Sequence, residues 1–278
     1  MKSIANKIHK GLATVYTDGE IKALTRILAT ELLGVSQMAF YMKDDIALTA
    51  EQEASLDNAI ERLKKHEPIQ YILGYSDFCG LRFKVTPATL IPRPETSELV
   101  EWIANESNGT ENILDIGTGS GCIAISLAHR LPETEVAAWD ISADALTVAT
   151  ENSKANNCSV TFKQVDILAY EPNDEQFDII VSNPPYIKEV EKEQIEANVL
   201  DWEPHTALFV PDNDPLLFYR TIAKKGKLML RTGGKLYFEI NRAYGNETCA
   251  MLASLGYTDI EIRKDFAEND RMIRAVKQ

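Results

Sequence analysis

The chain has 278 residues, 45% hydrophobic and 26% charged, with 29 Lys+Arg against 42 Asp+Glu and a formal net charge of −13. That mix describes one large or two smaller globular domains with ample apolar material for a core. A chain so short of cations is poorly equipped to grip nucleic acid through its phosphates. The charge is uneven: residues 1–84 carry 11 basic and 11 acidic side chains and 85–278 carry 18 and 31, so the whole excess lies in the C-terminal two-thirds.

No apolar run reaches the roughly 18 residues a membrane-crossing helix needs. The opening Met1-Lys2-Ser3-Ile4-Ala5-Asn6-Lys7 leads into a polar amphipathic stretch, not a secretory apolar segment. Cys79, Cys122, Cys158 and Cys249 are scattered without a C-x-x-C pair. They are expected to be reduced thiols of a cytoplasmic protein, not a disulfide framework or zinc site. His9, His66, His129 and His205 are as dispersed, so no metal centre is expected.

In chain order, the first 75 residues read as helices. Ile4, Ile8 and Leu12 recur at helical spacing, as do Ile21, Leu24, Leu28 and Leu32 before a stop at Gly34. Thr49 with Gln52 forms a capping-box pattern ahead of Leu56, Ile60 and Leu63. Pro68 opens a short helix ending near Gly74. Phe78, Leu81, Phe83 and Val85 around Gly80 predict a β-hairpin. Residues 86–96 are proline-rich and predict a stiff extended segment, followed by a helix from Glu95 to Asn105.

From Asn112 strands and helices alternate. Strands are predicted at 113–116, 136–139, 160–165, 177–181, 235–240, 258–263 and 271–276, with helices at 121–130, 142–156 and 246–255. Such alternation predicts an α/β, mostly parallel, doubly wound Rossmann-like sheet that binds its ligand beyond the C-terminal strand ends. The expected division is 1–75 as a small helical-bundle domain, 76–95 as hairpin and connector, and 96–278 as the seven-stranded domain.

Asp115-Ile116-Gly117-Thr118-Gly119-Ser120-Gly121 joins the first strand of that sheet to the next helix. Glycines there let the backbone turn tightly and approach a ligand with no Cβ in the way. The spacing is not G-x-G-x-x-G, and no P-loop lysine follows. The segment resembles the first motif of S-adenosylmethionine-dependent methyltransferases, which implies that Gly117, Thr118, Gly119, Ser120 and Gly121 back the methionyl end of that cofactor. Asp140 closes the second strand and Asp166 follows the third. The resemblance gives Asp140 the ribose hydroxyls and sets Asp166 and Ile167 beside the adenine. The competing readings are an N-cap with Ser142 for Asp140 and a turn residue for Asp166.

Asn183-Pro184-Pro185-Tyr186 follows the fourth strand. This motif is specific for methyltransferases that alkylate a planar –NH2 nitrogen. The lone pair of such a nitrogen is delocalised. As the methyl arrives, positive charge builds on it and its two N–H groups become better donors. The Asn183 oxygen and the Pro184 carbonyl can accept those bonds, which are worth more in the transition state than before it. Pro184-Pro185 stiffens the carbonyl, and Tyr186 offers a ring face to the planar group. Asn183 also stands where the cofactor is expected. The motif does not choose between adenine N6, cytosine N4 and a glutamine amide.

The choice comes from upstream. Glu67-Pro68-Ile69-Gln70-Tyr71-Ile72-Leu73-Gly74, residues 78–85, and Leu90-Ile91-Pro92-Arg93-Pro94-Glu95-Thr96 closely resemble the peptide chain release factor glutamine methyltransferases. Asp201, Glu203, Pro204, Ala207 and Leu208, and Arg263-Lys264-Asp265 with Asp270-Arg271, fit the later blocks of that family. The resemblance covers the whole chain. It implies N5-methylation of the glutamine in the Gly-Gly-Gln motif of class I release factors, with the helical domain contacting that substrate; the enzyme is expected to be a monomer. It also implies that Pro92-Arg93-Pro94-Glu95-Thr96 packs over the cofactor. Two positions depart from the pattern, Ser97 where an acid is common and Asn241 where a glycine follows strand five; neither is expected to touch the catalytic loop.

The alternatives are an N6-adenine methyltransferase of DNA or RNA and a non-catalytic cofactor-binding partner module. The first wants a basic groove. The basic cluster Arg220, Lys224, Lys225, Lys227, Arg231 and Lys235 is read instead as the solvated face and C-terminal end of a helix. The second has no use for an intact Asn-Pro-Pro-Tyr.

Overall fold

The computed structural model describes residues 1–42 and 46–278. Two compact units emerge, Met1–Gly74 with Glu196–Trp202, and Tyr75–Ile195 with Glu203–Gln278.

The first unit is helical. Helix α1 (Lys2–Leu12) buries Ile4, Ile8 and Leu12 on one face. Helix α2 (Asp18–Ile27) starts from a capping box in which the Thr17 side chain takes the Glu20 N–H and the Glu20 carboxylate takes the Thr17 N–H. That T-x-x-E signal stands in the sequence beside the expected one at Thr49 and Gln52, which also forms. A π-helical turn (Leu28–Leu32) continues α2, and α3 (Gln37–Met42) follows. Helix α4 (Ala50–Leu63) buries Leu56, Ala59, Ile60 and Leu63. It packs close to α1, where a Cβ on Gly11 would meet Ile60 Cγ2 at 2.6 Å. Pro68 caps α5 (Ile69–Leu73) from outside the helix.

The second unit opens with the hairpin β1 (Tyr75–Phe78) and β2 (Leu81–Lys84), paired in register Phe78↔Leu81. Helix α6 (Pro94–Glu106) follows the proline-rich segment. Then come β3 (Asn112–Ile116), α7 (Cys122–Arg130), β4 (Glu135–Asp140), α8 (Ala143–Ala155), β5 (Thr161–Gln164) and β6 (Phe177–Ser182). A connection carries the short β7 (Ile187–Lys188), α9 (Ala197–Leu200, in the first unit) and β8 (Phe209–Val210). The chain closes with α10 (Leu217–Met229), β9 (Leu230–Glu239), α11 (Gly245–Ser254), β10 (Tyr257–Lys264) and β11 (Asp270–Lys277).

Seven strands form one sheet in the order β10-β11-β9-β6-β3-β4-β5. The five from β9 to β5 run parallel, and β11 sits antiparallel between β9 and β10. Parallel strands covered on both faces read as continuous apolar runs. Accordingly, Leu114, Ile180, Leu236 and Phe238 enter one core layer and Ile113, Ile179, Val181 and Tyr237 the other. Chain order departs from β3 toward β4 and β5 on one side, then to β6 and β9 on the other. The reversal places a crevice at the C-terminal ends of β3 and β6.

Strand β9 is longer than the predicted 235–240. Its first half, Leu230-Arg231-Thr232-Gly233-Gly234, lacks the apolar pattern of a buried strand because it passes through a bulge, with Phe177 opposite Leu230 but Ile179 already opposite Lys235. The basic cluster is also corrected. Arg220, Lys224, Lys225 and Lys227 lie in α10, but Arg231 and Lys235 belong to β9. Arg220 pairs with Asp214, Arg231 with Asp178 and Lys235 with Glu106. Lys225 donates to the Tyr170 carbonyl and Lys227 to that of Gly256. Among the described residues, no helix is long and apolar enough to cross a membrane.

Candidate active site

The turn after β3 is built around a buried acid. The Thr118 hydroxyl donates to Asp115 Oδ2 at 2.7 Å, while Gly117 and Thr118 N–H both donate to the Trp139 carbonyl, which ties the turn to β4. Among the described residues Asp115 Oδ1 has no hydrogen-bond partner, and burial pushes the carboxyl up to about 7. Gly117 and Gly119 have φ of +77° and +56°, with open space where a Cβ would stand. Gly121 caps α7 at φ +82°, where a Cβ would meet Ile125 Cδ1 at 2.7 Å.

At the end of β4, Asp140 Oδ2 accepts the Gly119 N–H at 2.8 Å and Oδ1 accepts the Ser142 N–H at 2.9 Å. The Ser142 hydroxyl itself caps α8. Asp140 therefore supports the local turns and also faces the crevice. Burial pushes its carboxyl up, opposed by those N–H donors. Asp166 Oδ1 accepts the Leu168 N–H at 2.9 Å, the turn role, and its side chain also lines the crevice.

The crevice is a cavity of about 360 Å³ within the second unit, large enough to enclose a small-molecule ligand. Of the expected residues, Gly117, Gly119, Asp140, Asp166, Ile167, Asn183, Pro184 and Pro185 meet on its wall. Thr118, Ser120 and Gly121 do not: Thr118 serves Asp115, Ser120 is buried, and Gly121 lets α7 pack close to α8. Tyr186 also stays off the wall. Its N–H is tied to the Leu208 carbonyl, and its ring packs against the core cluster that holds Tyr219 and Phe238. Burial, then the charge of Glu239, pushes its phenol up.

The proline-rich segment reaches the cavity through Ala88, Thr89 and Leu90, upstream of the expected part. Arg93 is turned instead to Glu203, at 2.6 Å, and Thr96 donates to Glu239 at 2.6 Å. Glu203 also accepts the Ile91 N–H at 3.2 Å, so one buried carboxylate sets this segment beside Pro204, Thr206 and Ala207 of the opposite wall. Asn241 corrects a second expectation. Its Nδ2 donates to the Tyr186 carbonyl at 3.2 Å, directly behind the loop it was expected to avoid.

Several residues of the site carry weak signals in the sequence. Ile141 and Leu168 flank the two acids on the wall and remain 55% and 42% exposed, an unusual cost for large apolar side chains. Phe209, Phe218 and Ile222 complete the apolar lining. Asn152 is buried on the inner face of α8 and joins the Lys84 N–H, the Lys84 carbonyl and the Ser120 carbonyl. A polar residue in the stripe Val148, Ala149, Asn152 was its only cue.

This donor set fits S-adenosylmethionine. Two glycines leave a backbone wall without Cβ atoms, two carboxylates can accept from hydroxyl and amino groups, and Ile141, Val165, Ile167 and Leu168 offer flat apolar cover for a ring. Among the described residues, no group of three or more His, Cys, Asp and Glu side chains could hold a metal ion.

Comparison with known proteins agrees. The family model described as the methyltransferase small domain matches residues 95–201, and that of the PrmC N-terminal domain matches residues 12–74. The "Release factor glutamine methyltransferase" of Bacteroides thetaiotaomicron is 50% identical over 276 residues, covering 99% of each chain. That of Flavobacterium psychrophilum is 44% identical over 279 residues, covering 99% of this chain and 98% of its own. In fold, the chain is similar to the "Crystal structure of Methyltransferase from Pyrococcus furiosus", with TM-score 0.53, 17% identity, and coverage of 82% of this chain and 99% of that one. The chain is an S-adenosylmethionine-dependent methyltransferase and belongs to the family of release factor glutamine methyltransferases.

Proposed function

We propose that this enzyme methylates the side-chain amide nitrogen of the glutamine in the Gly-Gly-Gln motif of class I peptide chain release factors, giving N5-methylglutamine. The observation that carries the reading is the meeting of Asn183, Pro184 and Pro185 with Gly117, Gly119, Asp140 and Asp166 on one cavity wall. Bound S-adenosylmethionine supplies a methyl group on a positively charged sulfur. Gly117 and Gly119 back its methionyl part, Asp140 accepts its ribose hydroxyls, and Ile167 and Asp166 take the adenine face and amine. Ile141 and Leu168 cover the ring.

Asn183 Oδ1 and the Pro184 carbonyl accept the two N–H groups of the substrate amide. Both bonds strengthen as charge builds on the nitrogen, which lowers the barrier. Pro185 fixes the peptide that follows Pro184, so the carbonyl needs no reorganisation during the step. Among the described residues on the wall, Asp140 and Asp166 are the only ionisable side chains. No cation there faces a phosphate, and most of the basic cluster on α10 and β9 is engaged with protein oxygens. Both facts favour a protein amide over a nucleobase. The helical part, residues 1–75, is the portion assigned to holding the release factor, and such a substrate places the enzyme in the cytoplasm.

Parallel transfer of labelled methyl to purified release factor, bare RNA and DNA tests this reading. Label is expected on the release factor alone. Label on RNA or DNA but not on the release factor would overturn the choice of substrate, and label on none would favour a cofactor-binding module.

A further inference from the structure

The middle of the Asn-Pro-Pro-Tyr loop cannot hold itself, because Pro184 and Pro185 have no N–H to donate. The loop is held at its ends. Upstream, the Ser182 hydroxyl donates to the Ile116 carbonyl at 2.6 Å, joining β6 to β3. Downstream, the N–H groups of Tyr186 and Ile187 share the Leu208 carbonyl at 3.2 and 2.9 Å. A further tie is Asn241 Nδ2, which donates to the Tyr186 carbonyl at 3.2 Å.

Asn241 is itself fixed. Its N–H donates to the hydroxyl of the buried Tyr219 at 3.2 Å, and its Oδ1 accepts the Ala243 N–H at 3.0 Å. With the amide oxygen committed to Ala243, the amide nitrogen is directed at the loop. We propose that Asn241 is a positioning residue for methyl transfer. It clamps the downstream end of the loop so that Asn183 and the Pro184 carbonyl keep their places on the cavity wall. This rests on the role given to the loop above. A glycine at this position, as the family pattern leads one to expect, could make neither side-chain bond.

The clamp is separable from the plainer role of Asn241, capping the 3₁₀ turn Arg242–Tyr244. Aspartate caps as well as asparagine. In Asn241→Asp the oxygen facing Ala243 is kept, but the donor facing Tyr186 becomes an acceptor, and two oxygens then oppose each other. Asn241→Gly removes both bonds. Most of the cofactor wall comes from the β3–α7 turn and the ends of β4 and β5, so cofactor binding is expected to change little in either variant.

The experiment measures release-factor methylation and amide hydrogen exchange in the full-length wild type and both variants. In Asn241→Asp and Asn241→Gly, kcat is expected to fall about five- to tenfold with KM for the cofactor held within about twofold. Exchange at the Tyr186 and Ile187 amides is expected to accelerate in both. Wild-type kcat in Asn241→Asp with loss only in Asn241→Gly would reduce Asn241 to a cap and overturn the proposal. If the wild type leaves the release factor unmethylated, the functional reading fails by itself. The clamp is then judged by exchange alone: acceleration in Asn241→Asp upholds it, and unchanged exchange overturns it.

Discussion

The two ends of the seven-stranded sheet treat their carboxylates in opposite ways, part-buried Glu106 at one and fully buried Asp115 and Glu239 at the other. At the end where β3, β6 and β9 begin, Glu106 accepts from Arg274 at 2.7 Å, Trp102 at 2.6 Å, Tyr237 at 2.8 Å and Lys235 at 3.1 Å. Burial alone would raise its carboxyl, but those donors outweigh it and hold Glu106 down at about 2. At the end where the cavity opens, and among the described residues, Asp115 has Thr118 as its side-chain donor and Oδ1 without a partner, and Glu239 accepts from the Thr96 hydroxyl. Burial pushes both up to about 7, against the pull of Thr118 on the one and of Thr96 and Arg271 on the other. Donors and depth act together: Glu106 is only part-buried and has four donors, whereas Asp115 and Glu239 are fully buried with few. The well-partnered end secures the sheet, and the under-partnered end lies beside the loop 183–186, whose first three residues line the cavity.

The largest expected effect is at the cavity end. Asn183→Ala should lower the single-turnover rate by roughly 10²–10³-fold, as for loss of one preorganised hydrogen-bond group. Affinity for the cofactor product, measured by calorimetry, should stay within about twofold. Near-normal methyl transfer would remove Asn183 from the mechanism.

Next comes Glu106→Gln. The lowered carboxyl of Glu106 contributes stability that is complete above the unfolded value near 4.5 and is lost as pH falls toward 2. The substitution should therefore cost on the order of 2–3 kcal/mol at pH 7, with the gap to wild type closing in acid and kcat unchanged. Urea unfolding at several pH values measures it, and equal stability at pH 7 would break the contrast between the two ends.

Asp140→Asn comes third. It removes the charge facing the ribose site and sets an amide nitrogen against one of the two backbone N–H groups that Asp140 accepts, and should weaken cofactor affinity about tenfold while the fold persists. The smallest effect is expected for Glu239→Gln. A raised carboxyl binds its proton more tightly when folded, so stability declines as pH climbs from about 4 toward 7 and stays low above that. Replacing the acid should gain on the order of 1 kcal/mol at pH 8 and nothing at pH 5. A loss at pH 8 would show that the Thr96 and Arg271 contacts outweigh burial.

Much of this architecture was legible in local sequence. The runs at 113–116 and 177–181 are apolar but for Asp115 and Asp178, as suits strands whose two faces helices cover, and Asn-Pro-Pro-Tyr is a local motif whose first three residues reach the cavity wall. What stayed illegible depends on distant partners. Asn152 reaches back 68 residues to Lys84, and Glu203 reaches 110 to Arg93. No local pattern announces such choices. The sheet bulge hid the first half of β9. Tyr186 looked like a ring for the substrate because its neighbours face the cavity, but the Leu208 carbonyl turns its backbone and takes the ring into the core. Asn241 looked peripheral for a similar reason. It follows a strand end 55 residues from Tyr186, and only the β6–β9 pairing brings the two together.

The most direct test of the central claim is the position of the transferred methyl. Tandem mass spectrometry of a release factor treated with this enzyme should find it on the side-chain amide of the glutamine in Gly-Gly-Gln, and a release factor with alanine at that glutamine should take up none. Undiminished methylation of the alanine-bearing release factor would contradict the account.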